Sequence, residues 1–107
     1  MEARRHKRQI VSLPAEITSG ENRFAGSIEN LSEEGLYMVT APSKASLNLK
    51  PEAPVELSIT FPSGEKIHLT CRVKWSYQTP PHGYTTSLGL EIMEKSPEYK
   101  AALTTLQ

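Results

Sequence analysis

Two runs of strict alternation joined by a short turn constrain this chain more than any other feature. Val55, Leu57, Ile59 and Phe61 occupy every second position, as do Ile67, Leu69, Cys71, Val73 and Trp75, with mostly polar residues between them. A period of two sends successive side chains to opposite faces of a strand, so each run buries one face and wets the other. Pro62-Ser63-Gly64-Glu65 between the runs is a hairpin turn. A chain with such a hairpin is committed to a sheet, and a sheet must dispose of its edges.

Further strands follow from the same periodicity. Val11, Leu13, Ala15 and Ile17 alternate with polar residues and Pro14, whose missing N–H marks an edge or a bulge. Ser19-Gly20-Glu21-Asn22 is a turn, after which Phe24, Gly26 and Ile28 restart the alternation as the second arm of a hairpin. Leu36 to Thr40 gives a third short strand, and Leu88, Leu90 and Ile92 a sixth. The segment 41–54 holds three prolines and reads as a long surface connection, and Pro80-Pro81-His82-Gly83 as a loop. Ser96 and Pro97 are the N-cap and first residue of a helix continuing through Leu106, too short to stand without packing. Six antiparallel strands and one terminal helix predict an all-β fold, a closed or nearly closed barrel, because closure removes the exposed edges.

At 107 residues there is room for one core and hence one domain. We divide it into a basic arm, residues 1–9, and a barrel with its helix, residues 10–107. Twelve basic and 12 acidic side chains cancel, so no overall field draws the chain onto DNA, RNA or an anionic membrane. The single Cys71 excludes an internal disulfide and suits a reducing, cytoplasmic setting. One cysteine with three scattered histidines makes no metal-ligand spacing, and no apolar run is long enough to span a membrane. Nothing pairs a nucleophile with a base, and no glycine loop cradles phosphate, so an enzyme is not expected.

Two short segments hold the side chains suited to ligand chemistry. Arg4-Arg5-His6-Lys7-Arg8 sets four positive charges directly before the first strand. An arginine fork matches phosphate oxygens and the O6/N7 edge of guanine equally well, although alone such a stretch reads as a solvated tail. Asn30-Leu31-Ser32-Glu33-Glu34-Gly35 lies where the second strand ends, with Asn and Ser able to bond backbone or ligand and Gly35 expected at a positive-φ turn position. Alone, this too is an ordinary turn.

Together the two segments resemble the signature of the PilZ family, Arg-x-x-x-Arg before the first strand and Asn/Asp-x-Ser-x-x-Gly at the end of the second. Arg4 and Arg8 fill the first motif, and Asn30, Ser32 and Gly35 the second. Gly35-Leu36-Tyr37-Met38 and Ser87-Leu88-Gly89-Leu90-Glu91 resemble the strands that follow, so the likeness runs from Arg4 to Ile92. It implies a six-stranded barrel that binds cyclic di-GMP and signals to a downstream protein or fused domain, without catalysis or cofactor. The arginines would clasp phosphates and guanine edges while Asn30 and Ser32 bond the other guanine. Arg5 is a further candidate contact. Trp75 is another, set against its phase, which runs with Ile67 to Val73 and places it in the core. His6, Lys7, His68 and His82 are expected to be exposed, and Cys71 buried. A terminal arm of this kind is expected to order on binding. Two other classes compete: a barrel that binds partners without nucleotide, and an OB-like single-strand binder stacking bases on Trp75, which net neutrality and seven aromatic residues disfavour.

Overall fold

The computed structural model describes residues 8–41, 52–78, 85–94 and 96–106. Arg4, Arg5, His6, Lys7 and His82, most of the 41–54 connection and the 80–83 loop lie outside these residues. The elements are β1 (Gln9–Ser19), β2 (Asn22–Leu31), β3 (Gly35–Thr40), β4 (Pro54–Thr60), β5 (Lys66–Gln78), β6 (Thr86–Ile92) and α1 (Pro97–Thr105). As the sequence predicts, the six strands close into an antiparallel barrel; their order around it is β1-β2-β3-β6-β5-β4.

The predicted β4–β5 hairpin forms with Val55 opposite Cys71, Leu57 opposite Leu69 and Ile59 opposite Ile67, all buried. Gly64 takes φ 93° in its turn, and Gly20 takes φ 62° at the first of the two residues joining β1 to β2, where a tight hairpin needs a residue without a Cβ penalty. Closure leaves β1 paired on both sides, so Pro14 marks no edge strand. It follows a bulge between Ile10 and Leu13 and precedes Ala15, where pairing with β4 begins. There its missing N–H leaves no gap in the β4 ladder.

The core is filled by inward positions of all six strands, among them Ile17, Ile28, Leu31, Met38, Ile59, Val73 and Leu88, each inaccessible to solvent. Each such side chain contributes about 1.5–3 kcal/mol relative to exposure. Cys71 joins them as a small hydrophobe, and burial, helped by the Glu56 carboxylate, pushes its thiol up to about 12. His68 is exposed, as expected.

Helix α1 starts as the sequence predicts, with the Ser96 hydroxyl accepting from the Tyr99 N–H at 3.1 Å and Pro97 in the first turn. Its buried residues are Tyr99, Ala102 and Leu103. The Tyr99 ring meets Phe61 edge-on at 6.5 Å, and its hydroxyl donates to the Ser32 carbonyl at 2.6 Å. A further bond runs from Gln9 Nε2 to the Leu103 carbonyl at 3.3 Å. These contacts anchor a nine-residue helix that would not persist alone.

Replacing Tyr99 by Phe keeps the ring and strands the Ser32 carbonyl, so urea unfolding should show a loss of about 1–2 kcal/mol. The Cys71 thiol sets a pH dependence. Its folded value lies above the unfolded one, near 9.0, so its contribution is complete below pH 9 and is lost as pH rises toward 12. Unfolding midpoints should fall across that interval and fall less steeply in Cys71→Ala, and a thiol reagent at pH 8 should label the protein only as it unfolds.

Candidate functional site on the outer barrel wall

Three irregularities in pairing, two on the neighbouring strands β1 and β2 and one on β5 beyond β3 and β6, decide which side chains face outward. In β1 the register shifts between Ile10 and Leu13, in β2 between Ile28 and Asn30, and in β5 between Val73 and Trp75. A bulge adds a residue to one strand and reverses the phase beyond it. Strict alternation from Ile28 would send Asn30 inward, but the bulge turns it out, and Leu31 becomes the buried residue. Strict alternation from Val73 would bury Trp75, yet Trp75 is 48% exposed. The phase argument that favoured a core Trp75 is therefore overturned by an extra residue, Lys74, which the alternation could not reveal.

With the phases corrected, one transverse row crosses five strands: Ile10 pairs with Asn30, Asn30 with Tyr37, Tyr37 with Gly89, and Gly89 with Trp75. A shallow depression of about 320 Å³ lies along this row. Arg8, Asn30, Tyr37, Lys74, Trp75 and Gly89 line it, with Leu36 and Leu90 beneath. That volume is at the low end for small-molecule sites.

Arg8 and Asn30, 22 residues apart in sequence, are joined by a hydrogen bond from the Arg8 guanidinium to the Asn30 Oδ1. This bond brings the last residue of the basic stretch onto the first residue of the second motif. With its oxygen engaged by Arg8, the Asn30 amide presents its NH₂ group as a donor. Across the depression, Lys74 approaches Glu52 at 3.3 Å and Glu91 at 3.8 Å, and Arg72 approaches the same two carboxylates at 3.5 and 3.8 Å. All four side chains are about half exposed, so the network adds little to stability.

Ser32 and Gly35 stand apart from the depression. Ser32 is 5% exposed, and its hydroxyl accepts from the N–H groups of Glu34 and Gly35 and donates to the Gly35 carbonyl, each at 3.3 Å. Its N–H donates to the same carbonyl at 2.8 Å. The side chain thus closes the turn between β2 and β3. Gly35 does not adopt the expected positive φ; the described glycines that do are Gly20 and Gly64. Gly35 is needed for proximity instead, since a Cβ there would sit 2.8 Å from the Leu90 carbonyl oxygen on β6.

Tyr37, Lys74 and Gly89 were not singled out from the sequence. Tyr37 had a legible signal, a large aromatic on the outward phase of β3 directly after the second motif. Lys74 and Gly89 had none, because their places depend on the β5 bulge. Among the described residues no cluster of His, Cys, Asp or Glu could hold a metal, and no helix is long and apolar enough to cross a membrane.

Comparison with known proteins agrees with this architecture. Among solved structures, the Bacillus subtilis inhibitor of motility MotI/DgrA is similar with a TM-score of 0.78 and 20% identity, over 99% of this chain and 50% of that one. The PilZ domain of Escherichia coli YcgR, solved with c-di-GMP, gives 0.74 and 12% over 96% of this chain and 87% of that one. YcgR itself in complex with c-di-GMP gives 0.72 and 14% over 98% and 44%. The chain therefore spans half the length of MotI/DgrA and less than half that of the longer YcgR chain. No curated protein matches. The model of the PilZ domain matches residues 2–106, almost the whole length, and the chain belongs to the PilZ domain family, whose c-di-GMP-binding members share this barrel.

Proposed function

We propose that this domain is a receptor for cyclic di-GMP that passes the signal to a partner protein or fused domain and performs no chemistry of its own. The observation that carries this reading is the Arg8–Asn30 hydrogen bond, which joins the two motif segments on the outer wall beside an exposed indole. Arg8 supplies a fork for a phosphate or for the O6/N7 edge of a guanine. The Asn30 NH₂ donates to a base acceptor, and the Trp75 face stacks on a purine for about 1–3 kcal/mol. Arg4 and Arg5 add cations from the arm, which orders over the ligand and alters the surface offered to the partner. Ser32 and Gly35 serve by holding the turn that fixes Asn30. This division follows from their burial and from bonds already made within the turn.

A neutral overall charge supports a compact anionic ligand held by a few local cations over a long nucleic acid. The setting proposed is the cytoplasm, where such a messenger and an unpaired cysteine both fit.

Calorimetric titration tests the reading, with GTP and a short single-stranded oligonucleotide as controls. Cyclic di-GMP alone should bind saturably, and Arg8→Ala should weaken it about 10- to 100-fold, the size of a charge-assisted bond. Binding should also fall as salt rises. Ser32→Ala should lower the unfolding free energy by about 1–2 kcal/mol through the buried turn as well as reduce affinity. No binding of the dinucleotide at millimolar concentration would refute the receptor and favour a nucleotide-independent interaction module. Tight oligonucleotide binding with a steep salt slope would favour the single-strand binder instead.

A further inference from the structure

Gly89 faces outward by the alternation of β6, where Leu88 and Leu90 on either side point into the core, yet it is buried. What covers it is the Trp75 indole: a Cβ built on Gly89 would overlap Nε1, Cε2 and Cδ1 of that ring. The five-membered ring of the indole thus packs over a residue with no side chain, while about half of Trp75 stays exposed. On the other side of Gly89 in the same transverse row stands Tyr37, whose ring centre is 5.7 Å from the indole and tilted 37° to it. The Tyr37 hydroxyl bonds Ser87 Oγ at 3.3 Å, so its ring is held at both ends. Tilted aromatic pairs at this separation attract beyond their shared burial.

We propose that Tyr37 is the positioning residue of the site: it pins the Trp75 indole over Gly89, so that the exposed part of the indole is set in advance to stack on a planar heterocycle. The ligand side of this proposal rests on the cyclic di-GMP reading, while the geometry of the two rings does not. A ring fixed before binding forfeits no rotamer freedom when the base arrives, which is the advantage of preorganisation. The ring of Tyr37 does the holding, and its hydroxyl steadies that ring, so phenylalanine should largely replace it.

Trp75 is the single tryptophan, so its fluorescence reports this one contact. In ligand-free protein, Tyr37→Leu should make the indole more quenchable by acrylamide and add a fast component to its anisotropy decay, whereas Tyr37→Phe should stay near wild type. Gly89→Ala, which must displace the indole, should behave like Tyr37→Leu. Affinity for cyclic di-GMP should fall on the order of 5- to 10-fold in Tyr37→Leu and within about twofold in Tyr37→Phe. If Tyr37→Leu does not fold, Tyr37→Met takes its place in each measurement. Unchanged quenching and anisotropy in the folded variant would overturn the proposal, as would a loosened indole with undiminished affinity. A loosened indole in a protein whose wild type binds no cyclic di-GMP would instead sink the receptor reading and leave the ring geometry standing.

Discussion

Closing six strands on themselves makes the sheet coil sharply, and in this barrel irregular pairing is concentrated at one level, in β1, β2 and β5. Almost everything about the site depends on those bulges. They turn Asn30 and Trp75 out of the core phase and align them, through Tyr37 and Gly89, with Ile10 across five strands. The same irregularities leave the core intact, since Leu31 takes the inward place next to Asn30 and Leu90 lies opposite Val73. A regular barrel with this sequence would bury an amide and an indole nitrogen without partners, a costly arrangement.

The turn between β2 and β3 is the second fixed point. Ser32 closes it with its own hydroxyl, Gly35 lets it press against the Leu90 carbonyl, and Tyr99 reaches from the helix to hold the Ser32 carbonyl. Burial raises the Tyr99 phenol well above its ordinary range, which keeps it protonated and a donor well beyond neutral pH. Motif residues can therefore hold a surface in shape without facing it. Asn30 and Arg8 meet on the outside because this turn and the adjoining bulge hold the strand end in place.

These particulars show how much of the molecule was legible in its amino-acid sequence. The strands and their hairpin turns, the closed barrel and the capped helix follow from alternation, glycine and proline placement and the Ser96-Pro97 pair, all local signals. Arg8 and Asn30 were legible as candidate site residues through the order of the two motifs, whereas the bond between them is a matter of long-range pairing. The phase of Trp75 points to the core, against its place as a candidate contact, because an inserted residue leaves no mark on the pattern before it. Gly35 was assigned a positive φ because a glycine in a turn reads the same whether it relieves a dihedral or a clash across strands. Tyr37 and Gly89 become meaningful only when β3, β6 and β5 are seen side by side, a matter of long-range register.

The central claim is that one outward row, assembled by bulges, is where the ligand lies. Amide shift mapping on isotopically labelled protein, with cyclic di-GMP added to saturation, tests it most directly. The account predicts that the large perturbations fall on Arg8, Asn30, Tyr37, Lys74, Trp75 and Gly89, with the β4–β5 hairpin near Gly64 almost silent. Perturbations centred on that hairpin or spread evenly around the barrel would contradict it.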